Sequence, residues 1–128
     1  MKTNDLALFI LRVGIGLTML LAHGIPKLLK FPELSAVFPD PLGIGSAASL
    51  SLAIVTEVVA ALALILGFYG RWAALVMAAG MGVAFFIHHS GQPFVDRELA
   101  FLFLLPLLTL VIAGPGRWSV TRPQKSSQ

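Results

Sequence analysis

The chain has 128 residues, 57% of them hydrophobic and 12% charged, and a mean hydropathy of +0.89. Soluble domains carry about 25% charged residues, so this composition excludes an ordinary soluble core and points to a chain solvated by lipid. The net charge is +3 and cysteine is absent. The basic residues sit at the edges of apolar segments, which reads as membrane topology rather than nucleic-acid binding. Without cysteine there are no disulfides, CxxC redox centres, thiolate metal sites or protein-ligated iron–sulfur clusters.

A spanning helix needs about 20 apolar residues. The pattern predicts four, over about 5–29, 47–66, 71–89 and 97–113. The expectation is an all-α, four-transmembrane-helix antiparallel bundle forming a single domain over 1–128, with a polar cytoplasmic tail over 114–128 that is frayed after Arg117. The first segment is too long for a signal peptide, contains Arg12 and is followed by no small-residue cleavage site. Asn4 or Asp5 can cap it, and Pro26 is expected to kink or end it near Lys27.

The connection from Lys30 to Ser46 holds Pro32, Pro39 and Pro41 with Gly43 and Gly45. Its apolar residues, among them Phe31, Leu34, Phe38 and Leu42, predict a proline-rich outer loop folded down onto the bundle or the interface. Gly67-Phe68-Tyr69-Gly70 reads as a tight turn, and Ser90-Gly91-Gln92-Pro93 as the next break. The fourth helix carries Pro106, which can bend it, and ends at Gly114-Pro115-Gly116. Lys2, Arg71, Arg117, Arg122 and Lys125 fall at one end of the bundle, against Lys27, Lys30 and Arg97 at the other. That bias predicts a multi-pass protein of the bacterial cytoplasmic (inner) membrane with both termini cytoplasmic. Tyr69, Trp72 and Trp118 then lie at the inner interface.

Charges inside apolar segments are costly and default to functional candidates. At 100° per residue, Arg12, Gly16, Met19, His23 and Lys27 form one stripe on the first helix. A polar stripe containing glycine is expected to face the bundle interior. Glu57 stands between Ala53 and Ala61 in the second helix. Measured from the helix ends, Arg12 lies about 9 Å and Glu57 about 14 Å above a common edge. An interhelical ion pair between Arg12 and Glu57 is therefore expected.

At the outer end, His23 and Lys27 meet His88 and His89, which close the third helix, and Asp96, Arg97 and Glu98, which open the fourth. The expectation is one outer pocket whose ligand-binding or proton-handling residues are His23, Lys27, His88, His89 and Glu98. Histidine titrates near neutrality and can ligate metals, yet no HxxxH or HExxH spacing is present. Metal ligation and a bis-histidine haem between His23 and His88 or His89 are therefore less favoured than a flat apolar ligand. Adjacent His88 and His89 point about 100° apart, and spacing does not choose which faces inward. Phe85, Phe86, Phe94 and Phe101 lie near the same depth. Helix-end histidines can also serve only as caps, and intramembrane ion pairs only as helix locks.

Arg12 with Gly16, His23-Gly24, Lys27-Leu28, Glu57, Leu66-Gly67 with Arg71, the histidine closing the third helix, Glu98, and Gly114-Pro115-Gly116-Arg117 with Ser119 occur in an order that resembles the DoxX family of small prokaryotic four-helix membrane proteins. The resemblance spans essentially the whole chain. Val120-Thr121 stand where family members often carry an acidic residue. The resemblance implies a link to membrane thiosulfate:quinone oxidoreductases, to redox and thiol-stress complexes, or to quinone and catechol resistance. It carries Arg12, His23, Lys27, Glu57, His88 and Glu98 as matching positions without assigning a reaction. The expected function is the membrane subunit of a redox-linked system, an oxidoreductase subunit binding a quinone or similar apolar molecule in the outer pocket. Its partners would be the bilayer and a redox partner protein or a second copy. A small proton-coupled transporter and a purely structural assembly subunit are the alternatives.

Overall fold

The chain is described from residue 3 to residue 121 by a computed structural model. The lysines and arginines at 2, 122 and 125, counted above for orientation, lie outside the described residues. All regular structure among the described residues is helical. Helix α1 spans Thr3–Leu29, α2 is a single turn over Phe31–Leu34, α3 spans Ser46–Leu66 and α4 spans Gly70–His88. Helix α5 spans Phe94–Ala113. By length and hydropathy α1, α3 and α4 can each cross a membrane. Helix α5, at 20 residues, is close in length to α3 and α4 but carries Asp96, Arg97 and Glu98 in its first two turns.

The long helices pack as a helical bundle in which α1 lies on α3, α3 on α4, α4 on α5, and α5 back on α1. Small residues dominate the centre. Ala60, Ala61, Ala73, Ala74 and Ala78 are buried with Met19, Leu64, Met77, Phe103, Leu107 and Leu110. Between apolar helices in an apolar solvent, attraction comes from close van der Waals contact, which small side chains permit. Large apolar residues such as Ile10, Leu21, Val59, Leu102 and Ile112 cover the outside, as lipid contact requires.

Glycines set the α1–α3 register. A Cβ at Gly16 would come within 3.2 Å of the Ala61 carbonyl oxygen, and one at Gly24 within 2.8 Å of the Glu57 carbonyl carbon. The turn into α4 depends on left-handed backbone at Gly67 (φ 73°) and Tyr69 (φ 46°).

Three of the long helices are interrupted by π-helical turns: Leu20–Gly24 in α1, Val55–Ala60 in α3 and Ala84–His88 in α4. The first explains how α1 passes Pro26. A proline ring clashes with the carbonyl one turn back, and the wider turn that precedes it moves those carbonyls. The expected break at Pro26 is thus a π turn followed by helix to Leu29. Helix α5 runs unbroken through Pro106.

The segment after α5 is not frayed where it is described. Gly114, Pro115 and Gly116 are buried. The Val120 N–H donates to the Leu66 carbonyl (3.0 Å) and the Thr121 N–H to that of Gly67 (3.4 Å). Asp5 does not cap its own helix. It is buried, and its Oδ1 accepts from the Arg117 N–H (3.2 Å).

Candidate functional site

The polar stripe of α1 does face inward, but its charges divide between two ends of the bundle. Arg12 is 1% exposed and is held by carbonyls. Its Nη1 donates to the Pro115 carbonyl and to Ser119 Oγ (3.2 Å). Its Nη2 donates to the Trp118 carbonyl (2.6 Å), and its Nε to the Ile65 carbonyl in the last turn of α3 (3.4 Å). The guanidinium also lies 5.3 Å from the Phe9 ring centroid. A planar cation with five donors suits a ring of carbonyls, and the C-terminal end of a helix supplies negative partial charge.

Glu57 is 7% exposed and takes Lys27 as its cation, with Nζ 2.7 Å from Oε2. The expected Arg12–Glu57 pair therefore does not form. Arg12 is level with Ile65, eight residues or about 12 Å along α3 from Glu57, because α1 begins well beyond the end of α3. The 114–119 segment fills the space this leaves. The Lys27–Glu57 contact is a close ion pair, largely shielded from solvent on both sides.

Two cavities meet at Glu57. The larger, of about 560 Å³, is a groove between α3 and α4, with Leu52, Ala53, Val76 and Val83 as apolar walls. Phe38, Pro39, Pro41 and Leu42 of the α2–α3 loop cover one end, and Lys27, Glu57 and His88 supply its ionisable groups. The smaller, of about 230 Å³, lies among the four long helices and is lined by His23, Glu57, His89, Asp96 and Arg97 with Met19 and Phe103. The His89 Nδ1–H donates to Gln92 Oε1 (2.9 Å), which leaves Nε2 for other partners. His23 stands edge-on to Phe103, with ring centroids 5.6 Å apart. The Arg97 guanidinium caps Phe85 at 4.5 Å and its Nη1 donates to the Phe85 carbonyl (3.3 Å).

Each ionisable residue before Asp96 that lines these cavities, Lys27 excepted, stands in or beside a π turn. His23 is in the first, Glu57 in the second and His88 in the third. Such turns cost helix stability and recur where a side chain must be aimed.

A family model described as DoxX matches residues 7–90, which takes in Arg12, His23, Lys27, Glu57, His88 and His89. The chain belongs to the DoxX family. It is similar to an uncharacterized protein of Haemophilus influenzae (strain ATCC 51907 / DSM 11121 / KW20 / Rd), 34% identical over 109 residues that cover 77% of this chain and 76% of that protein. No solved structure matches it.

In this DoxX-family membrane protein, His23, Lys27, His88 and His89 converge on one end as expected, but on two cavities rather than one. The choice between the adjacent histidines resolves as both, His88 to the groove and His89 to the inner cavity. Glu98 is exposed and lines neither. One helical position from Arg97, it turns away from the bundle. Glu57 takes its place as the acid of the site, and Asp96 and Arg97 join it. The signal for Glu57 was the small pair Gly16 and Gly24, whose spacing sets the helix register. No group of three or more His, Asp or Glu among the described residues is placed to hold a metal ion.

Proposed function

We propose that this DoxX-family protein is the membrane subunit of a redox-linked system and binds a quinone, or a similar apolar molecule with carbonyl acceptors, in the groove beside Glu57. On this reading α5 is a fourth span. The whole is a four-transmembrane-helix antiparallel bundle in the bacterial cytoplasmic (inner) membrane, with both termini cytoplasmic and the α2–α3 loop outside. The absence of cysteine means that electrons come through a bound cofactor or a partner, so the chain acts as an oxidoreductase subunit beside a redox protein or a second copy.

One observation carries the reading. A buried carboxylate and its lysine stand at the polar end of an apolar groove of about 560 Å³, and ligand sites of about 300–1,000 Å³ with few, placed polar groups are the common form. Lys27 can donate to one carbonyl of a flat ring and His88 to another, while Leu52, Ala53, Val76 and Val83 hold its faces. The shared wall at Glu57 also favours a second reading, proton-coupled transport, which flux into liposomes would reveal.

The test is titration of purified protein with a short-chain benzoquinone, read by thermal shift and equilibrium binding. Saturable binding is expected, weakened at least about tenfold in Lys27→Met by loss of a charged donor. Binding should be lost in Ala53→Trp, which fills the groove. Binding that is absent, or undisturbed by Ala53→Trp, rejects the groove as the site.

A further inference from the structure

We propose that Glu57 is the proton-exchanging group of the groove, and that the inner cavity lined by His23, His89 and Asp96 is its path to solvent. The inference rests on the quinone reading and adds a linkage to it: occupation of the groove is coupled to uptake of a proton by Glu57.

The argument starts from position. Glu57 is the ionisable residue common to both cavities. One side of it meets apolar walls and Lys27, and the other meets the smaller chamber, where His23, His89, Asp96 and Arg97 stand among apolar side chains such as Met19 and Phe103. The chamber's volume of about 230 Å³ admits several waters at about 30 Å³ each, and His23, His89, Asp96 and Arg97 offer them partners. A chain of water between the exposed Asp96 and the buried Glu57 needs no rearrangement of the helices.

Charge supplies the coupling. Every titratable or charged group lining the two cavities comes from α1 (His23, Lys27), α3 (Glu57), α4 (His88, His89) or α5 (Asp96, Arg97). The loop contributes none, since Asp40 is turned to Ile44, Gly45 and Ser49. Lys27 is the cation in contact with Glu57, its Nζ 2.7 Å from Oε2. A neutral ring carbonyl in the groove takes the Lys27 ammonium as its donor and displaces it from Oε2. A buried carboxylate that loses its cation favours the neutral acid. One proton from solvent then crosses the chamber and bonds to a Glu57 carboxylate oxygen. No electron moves and no other bond changes, so the step is complete as proton uptake alone.

The experiment measures protons released or taken up when the short-chain benzoquinone is added to protein in weakly buffered detergent solution. The expected result is uptake of about one proton per quinone bound. A carboxylic-acid stretch should appear in the infrared difference spectrum and shift when the glutamate carboxyls are labelled with carbon-13. The chain has three glutamates, Glu33, Glu57 and Glu98. The Glu33→Gln/Glu98→Gln variant should therefore keep the band, which assigns it to Glu57 without disturbing the buried pair. Glu57→Gln should bind quinone without uptake, and Asp96→Asn or His89→Phe should slow uptake several-fold in stopped flow. Binding without uptake, or a band that vanishes in Glu33→Gln/Glu98→Gln, overturns the inference and leaves the groove standing. Unslowed uptake in both chamber variants overturns the path. No binding at all overturns both readings together.

Discussion

Gly24 lies directly against the Glu57 backbone: a Cβ there would come within 2.8 Å of the Glu57 carbonyl carbon and 2.9 Å of Val58 Cγ2. Both residues belong to π turns, so the two interrupted stretches of α1 and α3 are pressed together at the point where the carboxylate enters the cavities. Gly24→Ala should push α1 off α3 and lower stability by about 1–3 kcal/mol, the usual cost of overpacking. Gly14→Ala, on the same helix with nothing within 4 Å, should leave the melting temperature in detergent nearly unchanged. Equal effects of the two would show that the close approach does not matter.

The Lys27–Glu57 pair makes a non-additive prediction. Removing one member of a buried pair leaves an uncompensated charge and costs about 3–5 kcal/mol, whereas removing both can be nearly neutral. The Lys27 side chain is 22% exposed and that of Glu57 10%, so water softens the loss, and the lower end of that range applies. Lys27→Met should destabilise the protein more than Lys27→Met/Glu57→Gln does, as measured by thermal unfolding of all members of the cycle. A double variant worse than either single one would argue against a direct pair.

Much of the fold was legible because lipid solvation leaves long, unambiguous apolar runs. The stripe from Arg12 to Lys27 follows from helical periodicity, and its inward face is confirmed by the burial of Arg12, Gly16 and Met19. What periodicity cannot supply is the offset between neighbouring helices. Setting the ends of α1 and α3 level put Arg12 beside Glu57, whereas α1 starts deeper and the 114–119 segment closes the space beneath α3. Pairing Gly16 with the small Ala61 would have given the better register, which sets Gly24 against the Glu57 backbone. The π turns were illegible for another reason. Pro26 marks the first, but Val55–Ala60 and Ala84–His88 contain no proline or glycine, and their extra residue is a product of packing.

Arg12 ties three separate pieces of chain together, and its loss should be felt at the far one. The Pro115 and Trp118 carbonyls lose their donors when the guanidinium is removed, and a buried acceptor left unpaired costs about 1–3 kcal/mol. Arg12→Met should therefore destabilise the protein and open the 114–119 segment to trypsin after Arg117, followed by mass spectrometry. Arg12→Lys, a point charge without the fork, should recover only part of the loss. Because Arg12 touches neither cavity, quinone binding by the surviving folded protein should be unaffected. A change in that affinity comparable to that of Lys27→Met would contradict the division of the stripe into two ends.

Asp40 gives the loop over the groove its own pH dependence. Its Oδ1 accepts from Ser49 Oγ (2.8 Å) and the Ile44 N–H (2.9 Å), and its Oδ2 from the Gly45 N–H (2.7 Å). These bonds, that from Ser49 first and that from Gly45 next, hold its carboxyl below the ordinary carboxylate range. A group whose folded pKa is depressed contributes stability that is fully present above its unfolded pKa. That contribution is lost as pH falls through the folded value. The loop should thus stay anchored to the start of α3 at neutral and mildly acidic pH, and loosen only below the normal aspartate range. Limited proteolysis between Phe38 and Ser46, followed as pH is lowered with an acid-active protease, should show cleavage rising in that window. Asp40→Asn cannot accept at both oxygens, so its loop should be cleaved faster at neutral pH and lose the pH step. A step that persists in Asp40→Asn would assign the anchoring to another group.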